Sequence, residues 1–276
     1  GIGTGGFAGF EASGGSSSLI SVSGTVDLTA DGTGSTSGGS EGGLGDAGFV
    51  SLTTDDGATI SLQNDVFLSA TGIGGNATSG TGGIGQGGEA QLFIDNLATL
   101  NIDDGTTTLA SGAIGGAGQT GGDGIGGLSN IVMDNGGIAN LLDVSLFANT
   151  TGGNVGSGVG GDAQVASTLI QIDNGATLNI VDALQLGSVG QGGIALGGTG
   201  GNGTLSAAVI DVTSGGYLNA IDANVFIASN GTGGDAIQVF TRGQEDAAGN
   251  LDIGGGPSRI AASRGWASSG MGGHLS

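Results

Sequence analysis

The residues best suited to chemistry in this chain are aspartates that recur at steps of 39 or 40 residues. Two columns of them can be traced. The first column contains Asp55, Asp95, Asp134 and Asp173. The second contains Asp65 (with Asn64 as its alternative member), Asp104, Asp143, Asp182 and Asp222. If successive repeats stack, each column becomes a row of carboxylates one coil apart, and their mutual repulsion must be offset.

Two kinds of partner could offset this repulsion. Each aspartate could accept hydrogen bonds from the backbone N–H groups of its own turn, as Asx turns do, and this is the default expectation. Calcium is the alternative, because it prefers carboxylate and turn-carbonyl oxygens. Its candidate ligands are Asp95, Asp134, Asp173, Asp104, Asp143, Asp182 and Asp222. Only fragments of the glycine-rich calcium-binding repeat occur, such as Gly121–Gly124.

The elements that must position these aspartates belong to a repeat of about 39 residues. Its clearest copy, Ile172–Ile180, reads I-D-N-G-A-T-L-N-I. An apolar–polar–apolar triplet recurs with central residues Asp27, Ser61, Asn101, Asn140, Asn179, Asn219 and Asp252. The steps between them are 34, 40, 39, 39, 40 and 33 residues. Such a period predicts a stacked solenoid, and we interpret the short outer steps as atypical terminal repeats.

The best-formed unit predicts three short strands, Leu169–Ile172, Thr177–Ile180 and Ala183–Leu186. Asp173-Asn174-Gly175 forms a turn between the first two, and Asp182 marks a second corner. We therefore predict an all-β fold, a right-handed parallel β-helix or β-solenoid of about seven repeats. The period leaves open whether a repeat makes one large coil or two small ones.

Residues 1–253 are assigned to a single solenoid domain, because each repeat contacts only its neighbours. The rungs lie near 19–50, 51–91, 92–130, 131–168, 169–208, 209–241 and 242–253. Residues 254–276 form a tail, a cap or a docking segment.

Glycine accounts for 68 of the 276 residues and concentrates in arms that follow the third strand, such as Gly187–Gly203. We expect extended arms that stack coil on coil, with glycine allowing close approach of the backbones. A polyglycine-II-like bundle is the alternative form.

Two further columns are candidates for outward-facing ladders. The first is an asparagine ladder joined by side-chain hydrogen bonds, Asn101, Asn140, Asn179 and Asn219. In the second, Thr59, Thr99 and Thr177 share a column that Ile138 and Tyr217 interrupt. Regular threonine ladders mark ice-binding faces, so ice binding is a weaker alternative.

Charge and composition exclude several functions. The chain has 24 acidic and three basic residues, a formal net charge of −21, and no base before Arg242. Nucleic acids and anionic membrane surfaces are therefore not expected partners. The absence of cysteine excludes disulfides, thiol catalysis and cysteine metal sites. No apolar run is long enough for a transmembrane helix, so we expect no membrane insertion.

Support for catalysis is thin, and we predict that the chain is not an enzyme. His274 is its only histidine, and Tyr217 and Trp266 are its only tyrosine and tryptophan. Polysaccharide-degrading β-helices combine paired carboxylates with aromatic and basic side chains, so that activity is the least favoured alternative.

The C-terminal segment differs in composition from the repeats. Its Arg259, Arg264, Trp266 and Met271 are candidate interface residues, because arginine and tryptophan are typical anchors. An acidic body with a basic, aromatic end could associate head to tail, and a contact of this kind that does not close produces a filament.

The unit at Ile172, with weaker copies at Ile94 and Val212, resembles the β-strand repeats of autotransporter passengers and large repetitive bacterial surface proteins. The resemblance covers about residues 19–253. It implies an extracellular rod used in adhesion, matrix or fibre formation, without catalytic residues. We therefore expect a secreted or surface-displayed fibre subunit or adhesin stalk that self-associates through coil ends and the C-terminal segment. A module that binds Ca²⁺ or a glycan, including one on a host surface, is the alternative.

Overall fold

A computed structural model describes residues 1–164, 166–220, 224–232, 237–245, 250–252 and 259–262. Every regular element in these ranges is a β-strand. No helix long and apolar enough to cross a membrane occurs within them.

The strands form three long sheets and one short sheet. Sheet 1 contains Gly3–Thr4, Gly45–Asp46, Gly85–Gln86, Gly124–Ile125 and Ala163–Gln164. Sheet 2 contains Phe7–Ala12, Phe49–Thr54, Glu89–Ile94, Leu128–Met133, Ala166–Ile172, Thr204–Val212 and Ile237–Glu245.

Sheet 3 is wider, because each coil crosses it in two consecutive segments. Its first half contains Leu19–Val22, Thr59–Leu62, Thr99–Ile102, Tyr217–Asn219 and Asn250–Asp252. Its second half contains Val26–Thr29, Gly32–Thr33, Val66–Ile73, Thr106–Ile114, Asn224–Thr232 and Arg259–Ala262. The strands Ile138–Thr151 and Thr177–Gln191 run through both halves. Sheet 4 pairs Gly118–Thr120 with Val155–Val159.

All described strand pairs are parallel, and each strand pairs with its counterpart one repeat away. In sheet 2, for example, Leu92 lies opposite Leu52 on one side and Ile131 on the other. This arrangement confirms the predicted β-solenoid, and each repeat forms one large coil. Sheet 1 extends through five coils, so the solenoid has about five complete turns, against the seven repeats predicted.

The hydrophobic core lies inside the coil, between sheets 2 and 3. Alternate residues of each strand point inward, and inward residues such as Leu52, Ile60 and Leu68 have no exposed surface. In the first coil the equivalent Phe10, Ile20 and Leu28 are only partly buried. The core is therefore continuous along the axis and partly open at the first coil.

The first triplet was assigned to the wrong strand. Ser61 lies opposite Ser21, whereas Asp27 lies opposite Phe67 in the second half of sheet 3. The correct first step is from Ser21 to Ser61, which is 40 residues, so this coil is not short at this position. At the other end the prediction is confirmed, because Asn219 lies opposite Asp252.

The glycine-rich arms are ordered, and each forms two thin layers. A Cβ added at Gly115 would lie 1.8 Å from the carbonyl oxygen of Gly122 in the other layer, so side chains are excluded between the layers. The Gly116 N–H donates to Gly83 of the preceding coil, and the Gly122 N–H donates to Gly116 of the same coil. Such bonds between layers supplement ladder bonds such as Gly74 N–H to Ile114 O, at 2.8 Å. The arms thus combine the extended stacking and the bundle-like bonding that were predicted as alternatives.

Candidate functional site

The first aspartate column lies in a series of tight turns between sheets 2 and 3. In the turn at Asp173, the Ala176 N–H donates to the Asp173 carbonyl at 2.9 Å. Asn174 and Gly175 have φ angles of 47° and 76°, the left-handed values that a type I′ turn requires at both central positions. Asparagine and glycine adopt these angles more readily than other residues do, so the D-N-G sequence determines the turn.

Three carboxylates in this column, those of Asp55, Asp95 and Asp134, are bonded within their own turn and to the next coil. Asp134 Oδ1 accepts the backbone N–H of Asn135 at 2.7 Å and the side-chain Nδ2 of Asn174 at 2.6 Å. Asp95 Oδ1 accepts the equivalent bonds from Asn96 and Asn135, at 2.7 and 2.9 Å. These carboxylates accept a backbone N–H of their own turn, as expected, but the donor is the next residue and not the residue two positions on that an Asx turn uses.

The amide bonds between coils were not anticipated from the sequence. The sequence feature that could have predicted these bonds is the D-N pair at 95–96, 134–135 and 173–174, because it places an amide donor beside each carboxylate acceptor. At Asp173 the ladder changes partner: Gln171 Nε2 donates to Oδ2 at 2.7 Å, and Thr213 Oγ1 donates to Oδ1. Amide and hydroxyl donors therefore offset the repulsion that stacking of the carboxylates creates.

The second aspartate column is not a single register column. Asp143 lies opposite Thr106 on one side and Ala183 on the other, so Asp104 and Asp182 are out of line with it. The physical reason is that neighbouring coils have different numbers of residues here. Asn101 pairs with Asn140 but Thr106 pairs with Asp143, and the register shifts again after Leu141 in the next pair of coils. The long strand Thr177–Gln191 continues through Asp182, so the chain stays in the sheet at the predicted corner, where the register shift lies. Asp65 accepts the Thr106 N–H at 2.9 Å, and Asp222 lies outside the described residues.

One carboxyl group in this region has a perturbed pKa. Burial raises the pKa of Asp143 above its ordinary value of 3.8, and repulsion from Asp182 raises it further. A hydrogen bond from the Ala183 backbone acts in the opposite direction. Asp182 is therefore close enough to act on Asp143 although the two residues are not register partners.

The described residues contain no cluster of three or more acidic or histidine side chains suited to a metal ion. The calcium prediction at the aspartate columns stays a prediction. Its strongest candidates, Asp95 and Asp134, already accept two hydrogen bonds each from protein donors.

The asparagine ladder is present as predicted. Asn140 Nδ2 donates to Asn101 Oδ1 at 2.8 Å, Asn179 donates to Asn140 at 2.8 Å, and Asn219 donates to Asn179 at 3.2 Å. The neighbouring column runs through Thr59, Thr99, Ile138, Thr177 and Tyr217, as the sequence indicated. The asparagine ladder is therefore regular along the axis, whereas Ile138 and Tyr217 interrupt the threonine column beside it.

The candidate interface residues are only partly covered by the structure. Arg259 begins the strand Arg259–Ala262, which pairs with the strand containing Phe226. Arg264, Trp266 and Met271 lie outside the described residues, as does His274.

Comparison with protein-family models, with curated proteins and with solved structures found no match. The solenoid geometry by itself is shared by proteins of many functions.

Proposed function

We propose that this chain is an extracellular structural protein, the β-solenoid part of a surface fibre or of an adhesin stalk. The observation that carries the proposal is the continuity of in-register ladders along one axis. Backbone ladders, the Asp–Asn turn column and the asparagine ladder all repeat coil after coil. Such a body is suited to bear load or to span distance along its axis, because each coil is bonded to both neighbours.

The charge distribution supports association along the axis over association side by side. A formal net charge of −21 makes the flanks of two copies repel each other. Within the described residues, the strand Phe7–Ala12 is paired on one side only, and Phe10 and Ile20 of this coil are partly buried. Open edges of this kind are templates for further strand pairing, so coil ends are the proposed contact surfaces.

The C-terminal segment, residues 254–276, is the proposed partner of an open coil end. It contains two of the three bases of the chain, Arg259 and Arg264, together with Trp266. A contact between this segment and an acidic coil is heterologous, so repeated contacts would build a filament.

Light scattering after size-exclusion chromatography tests the role of this segment. We expect the intact chain to form concentration-dependent oligomers and a variant lacking residues 254–276 to remain monomeric. Circular dichroism of both proteins confirms that the solenoid is folded. Oligomers of the same size in the truncated variant would contradict the proposed C-terminal contact. A monomeric intact chain at every concentration would contradict the fibre proposal.

A further inference from the structure

A shallow groove runs along the solenoid axis at the seam between sheets 1 and 2. We call it the axial groove. Its floor is glycine in successive coils, including Gly48, Gly88 and Gly127, and its walls carry Phe49, Glu89, Ile125 and Leu128.

The floor cannot be filled by side chains. A Cβ added at Gly48 would lie 1.8 Å from the carbonyl oxygen of Gly6, and one at Gly127 would lie 2.8 Å from the Cβ of Ser111. Gly48 must therefore stay glycine for the coils to stack, whereas a side chain at Gly127 would enter the interior and press on the buried Ser111. The lining of the axial groove extends from Phe49 to Ser167, which is three coil steps or roughly 14 Å at the usual spacing of strands.

The walls combine apolar surface with negative charge. Phe49 stacks on Phe7 with ring centroids 5.6 Å apart and an interplanar angle of 14°, which gives one wall a two-ring aromatic surface. Asn130 Nδ2 donates to Glu89 Oε1 at 2.9 Å and positions that carboxylate at the wall. On the opposite wall, Asp46 and Ile125 belong to one register row and lie two coils apart, so this wall also carries a carboxylate.

The charge of the chain selects the class of ligand. No basic residue precedes Arg242 in the sequence, so the coils that form the axial groove contain carboxylates without compensating cations. Anionic ligands are repelled, whereas cations are attracted both locally and by the net charge of −21. Lysine and arginine carry an aliphatic stem that packs on apolar surface and a charged head that favours aromatic faces and carboxylates.

We propose that the axial groove binds an extended cationic segment of a partner polypeptide. In this arrangement Glu89 faces an ammonium or guanidinium group, while Phe49 and Leu128 pack against its stem. About four residues of an extended chain fit within roughly 14 Å. The inference is independent of the fibre proposal, because it concerns a flank of the solenoid and not its ends.

Fluorescence anisotropy with a labelled hexapeptide of alternating lysine and leucine tests the proposal, at about 150 mM salt to screen weak long-range attraction. The peptide with glutamine in place of lysine is the uncharged control. Two variants alter the axial groove, Glu89→Gln and Phe49→Ala. Each has a matched control on another face, Asp182→Asn for the lost charge and Phe67→Ala for the lost ring, and circular dichroism verifies folding of all four.

We expect Glu89→Gln and Phe49→Ala each to weaken binding of the lysine peptide about fivefold, the size of one exposed ion pair or cation–π contact. The matched controls should bind as the parent protein does. Equal losses in Glu89→Gln and Asp182→Asn would mean diffuse attraction to an acidic surface and would overturn the proposal. It would also be overturned if the parent protein failed to bind the lysine peptide.

Discussion

Replacing the buried threonine Thr107 by valine should stabilise the solenoid. Thr107 has no exposed surface, and its Oγ1 has no hydrogen-bond partner. It lies in the core column between Val66 and Val144, so this column already accommodates valine on both sides. A buried hydroxyl without a partner costs about 1–3 kcal/mol of folding free energy. Because valine has nearly the shape of threonine, we expect a gain of about 1–2 kcal/mol.

Differential scanning calorimetry measures this gain as a rise in melting temperature of about 2–4 °C for each kcal/mol in a chain of this size. Thr108→Val is the matched control, because Thr108 is the next residue and faces outward. Its stability should change by less than about 0.5 kcal/mol. Thr54→Val repeats the test in sheet 2, where another fully buried hydroxyl has no partner. An unchanged or lower melting temperature in both Thr107→Val and Thr54→Val would show that these buried hydroxyls do not destabilise the fold.

Four further predictions follow from the turns, the arms, the asparagine ladder and one carboxyl group. In a urea titration, Gly175→Ala should lower the free energy of unfolding by about 1 kcal/mol, because the φ of Gly175 is 76° and strain is the only cost when no atom lies near the added Cβ. Leu97→Gly should raise the free energy of unfolding in the same titration, because it relieves a φ of 62°. Gly116→Ala should lower the free energy of unfolding by about 3 kcal/mol or more, because the added Cβ would clash with the carbonyl oxygen of Gly75, and calorimetry should show a lower melting temperature. Asn140→Ala should lower the free energy of unfolding by about 1–3 kcal/mol, because it removes the hydrogen bonds to Asn101 and from Asn179. An unchanged urea midpoint would contradict this prediction. Asp143→Asn should stabilise the protein at neutral pH and have little effect in strong acid: the raised pKa means that stability is lost as the pH rises above 3.8 and this group ionises.

The parts of the fold that depend on a repeated side chain could be predicted from the sequence. The D-N-G turn at Asp173 and the ladder through Asn140 and Asn179 recur with the period, and stacking converts recurrence into contact. The first triplet failed because Val22 and Leu28 lie in similar apolar–polar–apolar patterns that belong to different halves of sheet 3. Periodicity cannot separate two such strands when they are close in sequence.

Two other features could not be predicted from the period of the repeat. A one-residue register shift after Leu141 moves Asp143 out of line with Asp182, and nothing in the spacing of the aspartates signals it. The bonding of the arms depends on backbone atoms of glycines such as Gly83 and Gly116, which carry no side chain to reveal their register. The sequence therefore indicated that the arms approach closely, but not that their two layers are bonded to each other.

Electron microscopy of the intact, negatively stained chain, with and without Ca²⁺ and over a range of concentrations, tests the structural role most directly. We expect filaments of uniform width whose long axis is the solenoid axis, at neutral pH and without any requirement for Ca²⁺. Isolated particles at every concentration in both conditions would contradict a fibre subunit. Filaments that form only with Ca²⁺ would contradict the conclusion that protein donors offset the repulsion between the aspartate carboxylates.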